Sequence, residues 1–475
     1  MGAIFSKASP GCRTREHDED ASCKRQKTSL SYYDECERLI PALPDELSMQ
    51  ILARVPRTCY FSLRLVSQKW KASIMNPELY KLRKELGFTE EWLYMLTKLE
   101  DNKLLWYALD PFSKTWQRLP LMPKFVCPED SRKASSGLWL WNVVGPSLRI
   151  AEAVRNWLGK KQSLDDMPFC GSAIGVVDGC LYVLGGFFGA STMRSVWRFD
   201  PIQNEWTEMT SMSTARAYCK TGLLNNKLYV VGGVSRGREG LSPLQSAEVF
   251  DPCTGSWSEV PSMPFSKAQM MPTAFLNDML KPIATGMTSY MGRLCVPQSL
   301  YAWPFIVDVG GEIYNPETNS WDEMPSGMAE GWPARQAGTK LSAVVDGRLY
   351  AFDPSSSHDS GKVKVYSEGE DVWKVVTGKI PIYDSADVES PYLLAGFHKK
   401  IHVITKDANH CTVVMQADLK DGSSSLAASS TASHSTNPPD ELLAQPGESE
   451  TVIWKLIASR DFGSAELVSC QVLEI

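Results

Sequence analysis

From Leu39 to Gly87, apolar residues recur at three- and four-residue spacing. Leu47, Ile51, Leu52 and Val55 mark one stripe, which Pro44 opens and Pro56 ends. Leu63, Val66, Trp70 and Ile74 mark a second, broken at Asn76-Pro77. Leu79, Leu82 and Leu86 mark a third, running to Gly87 in the place of a helix cap. The spacing predicts three short helices. A module of fewer than about fifty residues has a marginal core of its own, so this much Leu, Ile, Val and Trp implies that some of it is buried against a partner. The alternative is that the stripes only face each other.

Beyond residue 90 the period shortens to that of strands, and a repeat emerges when the tryptophans are aligned. LDPFSKTW, FDPIQNEW, FDPCTGSW and YNPETNSW end at Trp116, Trp206, Trp257 and Trp321, each with Trp six residues after Asp110, Asp200, Asp251 or Asn315. YSEGEDVW keeps Tyr366, Ser367 and Trp373 at the same offset without the Pro. Asx-Pro followed by polar residues favours a turn, and the flanking aromatic and β-branched residues favour strands, so each copy reads as a hairpin. A second hairpin precedes it in AIGVVDGCLYVLGG, TGLLNNKLYVVGG, MTSYMGRLCVP, LSAVVDGRLYAFD and LAGFHKKIHVITK, with turn signals at Asp178-Gly179, Asn225-Asn226 and Asp346-Gly347. Two hairpins make a four-stranded sheet, recurring at a period of about fifty residues. One such sheet cannot bury its faces, whereas sheets stacked radially can, which is the propeller solution. Trp116, Trp206, Trp257, Trp321, Trp373 and Trp454 count six blades. The first, built from EEWLYMLT, KLLWYALDP and TWQRLP, lacks a strand that the C-terminal LVSCQVLEI can supply, closing the ring and removing exposed edges.

Composition narrows the function. The 475 residues are 43% hydrophobic and 22% charged, with a formal net charge of −6, which excludes a basic nucleic-acid-binding body. Twelve cysteines without a C-x-x-C indicate a reducing compartment, cytoplasmic or nuclear, and no apolar run approaches a membrane span. Residues 1–37 are too poor in apolar groups to order themselves and read as a disordered arm. That arm carries Met1-Gly2-x-x-x-Ser6, an N-myristoylation pattern that would attach Gly2 peripherally to a membrane, and the basic cluster Lys24-Arg25-Gln26-Lys27. Two insertions break the repeat. Residues 124–166 hold Ile150, Val154, Trp157 and Leu158 at amphipathic-helix spacing, and residues 419–450 form a Ser/Thr/Ala/Pro-rich disordered loop.

Chemistry is sparse. Only six histidines are present, and His398, His402, His410 and Cys411, near a turn expected at Lys399-Lys400, are the one cluster with metal-ligand character. No catalytic or phosphate-binding motif occurs, so the expectation is no catalytic residue, no metal and no cofactor. Recognition remains, and the loops capping a propeller are its natural surface. Arg194, Arg216, Tyr218, Arg236, Arg238, Gln269, Trp303, Trp332, Arg335 and Gln336 are the basic, polar and aromatic candidates for target binding. For each, packing within a blade is the alternative.

In residues 38–87, Leu43-Pro44-x-Glu46-Leu47, Ile51-Leu52-x-Arg54-Val55-Pro56, Arg64-x-Val66-Ser67 and Trp70 resemble the F-box. Residues 88–475 resemble the kelch family, with diglycines at Gly185-Gly186 and Gly232-Gly233. Val296-Pro297, Phe352-Asp353 and Ile404-Thr405 stand in that place in later blades, and Gly310-Gly311 is expected before a third strand. Some kelch propellers are copper oxidases, but no matching ligand set is present. The combined resemblance is to F-box/kelch-repeat proteins, a family abundant in plants. It implies a small all-α F-box followed by an all-β propeller of six four-stranded blades, and the role of a non-catalytic substrate receptor in an SCF-type ubiquitin ligase. It also implies that Leu43, Pro44, Leu47, Ile51, Leu52, Val55, Pro56, Leu65, Val66 and Trp70 contact a Skp-type adaptor, and through it a cullin, with some of them filling the module's own core. A non-degradative, membrane-attached scaffold is the competing reading.

Overall fold

The computed structural model describes residues 38–41, 43–99, 103–123, 171–188, 191–237, 240–266, 281–302, 305–332, 341–353, 362–376, 392–418 and 453–475. The Gly2 arm, the helix expected within 124–166 and the 419–450 loop lie outside the described residues. Two compact units result, one ending at Phe88 and one beginning at Thr89.

The first unit contains α1 (Asp45–Arg54), α2 (Arg57–Leu63), α3 (Gln68–Ile74) and α4 (Pro77–Glu85) among the described residues. These are four helices where the apolar spacing predicts three. The second stripe splits because Ser67 is extended and its Oγ accepts the Trp70 N–H at 3.1 Å, an N-cap that starts a new helix. Asn76 caps α4 in the same way, accepting the Glu78 N–H at 3.0 Å, with Pro77 at the first helical position. Gly87, at φ +71°, ends α4 as expected: its N–H reaches Lys84 O and that of Phe88 reaches Arg83 O. Leu39, Leu52, Ala53, Tyr60, Ile74 and Leu79 form the core. Arg83 is buried beside them, its guanidinium over the Tyr60 ring and Nη1 donating to Ala53 O at 3.0 Å and to Val55 O at 2.6 Å, carbonyls that the end of α1 leaves unpaired.

The second unit is a six-bladed propeller of antiparallel sheets. Blade one is β29 (Glu466–Glu474), β1 (Glu91–Lys98), β2 (Leu104–Leu109) and β3 (Trp116–Arg118), from the innermost strand outward. Blade two is β4 (Ala173–Val177), β5 (Cys180–Leu184), β8 (Val196–Asp200) and β9 (Glu205–Met209), with a ribbon of β6 (Phe187–Phe188) and β7 (Ser191–Thr192) between its second and third strands. Blade three is β10 (Lys220–Leu224), β11 (Lys227–Val231), β14 (Ala247–Asp251) and β15 (Ser256–Val260), with the ribbon β12 (Val234–Gly237) and β13 (Gly240–Pro243). In blade four, β16 (Lys281–Ala284) and β17 (Thr288–Tyr290) both pair with β18 (Arg293–Ala302), followed by β19 (Phe305–Asn315) and β20 (Ser320–Glu323). Blade five is β21 (Ser342–Val345), β22 (Arg348–Asp353), β23 (Lys362–Ser367) and β24 (Val372–Val375), preceded by the single-turn α5 (Ser326–Glu330). Blade six is β25 (Leu393–Phe397), β26 (Lys400–Lys406), β27 (Thr412–Asp418) and β28 (Ile453–Arg460). The C-terminal strand closes blade one as expected, pairing from Glu474 opposite Glu91 to Glu466 opposite Lys98.

Turn chemistry builds the rim where first and second strands join. Asp178-Gly179, Asn225-Asn226, Met291-Gly292, Asp346-Gly347 and His398-Lys399 are two-residue connections with both residues at positive φ, the twist-compatible type I′ geometry. The last corrects the expected Lys399-Lys400 turn: Lys400 already belongs to β26. On the same rim, in blades one to four, the Asx residue opening the third-to-fourth-strand turn accepts the N–H two residues on, at 2.9 Å for Asp110, 2.8 Å for Asp200, 2.9 Å for Asp251 and 3.0 Å for Asn315. The second-to-third connections and the links between blades share the opposite rim, called here the loop rim.

Apolar clusters fill the spaces between neighbouring blades. The repeat tryptophans add a polar link. Trp206, Trp257, Trp321 and Trp373 donate their Nε1–H to Pro120, Thr210, Pro261 and Met328 O of the preceding blade's exit, at 3.0, 2.8, 2.7 and 2.9 Å. Gly310-Gly311 lies within β19, just past a bulge, rather than before a strand; a Cβ on Gly311 would sit 2.6 Å from Val296 O, which explains glycine there.

Candidate functional site

The helical unit divides the residues expected at the adaptor interface. Leu47 and Ile51, one turn apart on α1, are 47% and 46% exposed, and Leu65 and Val66 in the α2–α3 connection are 86% and 59% exposed. Leu43 and Val55 are half-buried and Pro44 and Pro56 exposed. Leu52 is a correction: only 1% exposed, it fills the core rather than a docking face. Trp70 packs on that core and donates Nε1–H to Leu39 O at 2.8 Å, so it fixes the strap before α1. Asp45 holds the same strap, accepting the Leu39 N–H at 2.9 Å; that bond, then Lys69 beside it, lowers its carboxyl below the usual range. Phe61, 43% exposed, adds to the uncovered apolar surface and escaped the sequence reading because it falls on no stripe.

On the propeller, Arg194, Arg216, Tyr218, Arg236 and Trp332 all belong to connections at the loop rim; Arg238, Gln269, Trp303, Arg335 and Gln336 lie outside the described residues. Arg194 and Arg236 are exposed. Thr192 Oγ1 accepts the Arg236 N–H at 3.3 Å, tying the two ribbons of blades two and three together. Tyr218, half-buried, packs its ring 6.0 Å from Phe187 over a small core with Ala217 and Val234.

Two candidates are corrected. Arg216 is fully buried and bonds Glu248 Oε1 at 2.6 Å, Gly232 O at 3.0 Å and Ser246 O at 2.9 Å. It therefore holds blade three together. Trp332 is buried edge-on to Trp373 at 5.7 Å. Alternation and composition do not reveal which loop residue turns inward. Glu248 and Glu312 were missed, although both stand three residues before the repeat's Asx; they accept incoming backbone N–H groups, from Ser213 at 2.7 Å and Ser266 at 2.8 Å.

The histidines do not converge. His398 lies on the turn rim beside Glu91, His410 in the loop-rim connection of the same blade, and His402 is stacked on Phe397 at 3.7 Å. Burial pulls His402 down to about 3, so it is neutral. Among the described residues no group of His, Cys, Asp or Glu could hold a metal ion, and no helix is long and apolar enough to cross a membrane.

A short helical unit with an uncovered apolar face, followed by a propeller with a loop-bearing rim, defines a binding protein of two modules. The family model of the F-box domain matches residues 40–82, and that of the Kelch motif matches residues 168–213 and 215–264. The chain belongs to the F-box/kelch-repeat proteins. It is 61% identical over 479 residues to F-box/kelch-repeat protein At1g22040 of Arabidopsis thaliana, covering 100% of both chains. It is 29% identical over 320 residues to F-box/kelch-repeat protein At1g30090 of the same plant, covering 66% of this chain and 64% of that one. F-box protein AFR of Arabidopsis thaliana is 26% identical over 328 residues, covering 69% and 71%. Neither family model describes an enzyme.

Proposed function

We propose that the chain is the substrate-recognition subunit of an SCF-type ubiquitin ligase. The helical unit binds a Skp-type adaptor, and through it a cullin, while the loop rim of the propeller holds the target protein. The observation that carries this reading is the set Leu47, Ile51, Leu65 and Val66: large apolar side chains left in water by a unit whose core closes without them. The second-to-third-strand connections, two of them carrying ribbons, make the loop rim the surface for the target. Catalysis is by proximity. Holding adaptor and target in one chain raises the effective concentration of target lysines at the conjugating enzyme, and no residue of this chain makes a bond. On this reading the protein works in the cytoplasm or nucleus.

The test is co-purification with a Skp-type adaptor. Leu47→Asp combined with Leu65→Asp alters only exposed positions, so the unit keeps its fold while adaptor binding falls at least tenfold. Full binding by this variant, with an unchanged melt, overturns the reading. Trp70 is unsuitable for this experiment because its ring and Nε1–H hold the unit together.

A further inference from the structure

We propose that Lys220, at the loop-rim mouth of the central channel, holds a carboxylate of the bound target. This rests on the loop rim being the target surface. Lys220 opens β10, the innermost strand of blade three, at its loop-rim end. Alternation sets its direction. Thr221 turns toward blade two, bonding Ile174 O at 2.6 Å, whereas a Cβ on Gly222 would lie 2.8 Å from Met287 Cε of blade four. Lys220 shares the side of Gly222.

There the innermost strand of blade four is broken. Thr285–Met287 separates β16 from β17, and both the N–H and the hydroxyl of Thr285 are spent on Pro297 O. Lys220, half-buried, has no hydrogen-bond or ion-pair partner among the described residues. The contrast with Arg216, one strand-entry earlier in the same blade and matched by Glu248, is direct.

A desolvated ammonium without a counter-charge is unfavourable, and here burial pulls the lysine down to about 8. An incoming anion reverses that penalty. A single ammonium suits a singly charged carboxylate; a phosphate is characteristically met by several cations or an arginine fork. The carboxylate comes from an acidic side chain or chain end of the target, or from a small free acid.

The full chain in complex with its adaptor is treated with an amine-acylating ester at pH 7.5, and each lysine's rate is read by peptide mass spectrometry. The probes are a ten-residue oligoglutamate, the matching oligoglutamine, and acetate. Oligoglutamate slows acylation of Lys220 at least tenfold while Lys227 and Lys374 change less than twofold, and oligoglutamine has no effect. Lys220→Met lowers oligoglutamate affinity at least tenfold with the melt retained, and Lys220→Arg keeps most of it. Equal protection by millimolar acetate assigns the site to a free acid. Uniform protection of all lysines, no protection of Lys220, or full binding by Lys220→Met overturns the proposal. Adaptor capture is read on the same sample, so failure of the ligase reading shows separately.

Discussion

Arg216→Met tests whether blade three depends on its buried ion pair. The substitution keeps the length of the side chain and removes its charge, deleting contacts to Gly232 O, Ser246 O, Ser246 Oγ at 3.1 Å and Glu248 Oε1 at 2.6 Å. Glu248 then remains buried, 2% exposed, without its cation. Breaking a buried pair from one side costs about 3–5 kcal/mol. Glu248 keeps backbone donors from Ser213 at 2.7 Å and Thr214 at 3.2 Å, which offset part of the loss and set the expectation near the lower end, about 3 kcal/mol. That is a large part of an ordinary total stability of ~5–15 kcal/mol. Glu248→Gln and the double variant complete the cycle, in which the two losses overlap by at least ~1.5 kcal/mol. Equilibrium urea unfolding of the full chain, followed by tryptophan fluorescence and circular dichroism together, measures it; coincidence of the two probes supports two-state treatment. An Arg216→Met protein within about 1 kcal/mol of wild type, or a cycle with no overlap, refutes the reasoning.

The inter-blade links make a contrast between tryptophans: Trp321→Phe loses the solvent-exposed bond to Pro261 O and costs about 0.5–1.5 kcal/mol more than Trp116→Phe, whose buried Nε1 has no acceptor among the described residues, in the same unfolding assay. Ending the chain after Ser464 removes β29 and exposes the edge of β1, so the propeller loses its cooperative thermal transition; an unchanged melt refutes closure by the C-terminal strand. Lys220 titrates near 8 in the folded protein, below the ordinary 10.5, so the native state sheds this proton first and stability rises with pH between the two values. The stability advantage of Lys220→Met over wild type accordingly shrinks from pH 8 to 10.5, and a constant gap refutes the assignment.

The hairpins were legible because their chemistry is local. An Asx side chain that bonds the N–H two residues on, and a Trp six residues later, need no tertiary context, and the structure repeats that turn in blades one to four. His398-Lys399 was misread by one position because no glycine or asparagine marks its left-handed residues. Ser67 was legible as a cap only by its residue type, and the apolar period running across it concealed the extra helix. The adaptor set was legible as a pattern but not in its division: adjacent residues of the first stripe point both ways, and only packing shows that Ile51 is exposed while Leu52 is enclosed. Arg216 and Trp332 look like interface anchors because the same residue types serve in both places. Lys220 carries no sequence signal, since what sets it apart is the absence of a carboxylate partner among the described residues and the broken strand beside it.

Because β1 and β29 share blade one, the propeller cannot shut until β29 has been made. At about 5–20 residues per second, the helical unit is complete and able to fold some tens of seconds before the final strand leaves the ribosome. During that interval five blades can form in order while β1 waits with an open edge, and the ring closes only once β29 has followed. On the proposed function, every nascent chain would thus pass through a state able to engage the adaptor but with its target surface unfinished. Timing of synthesis, more than any barrier in the finished fold, would then govern when the receptor becomes competent.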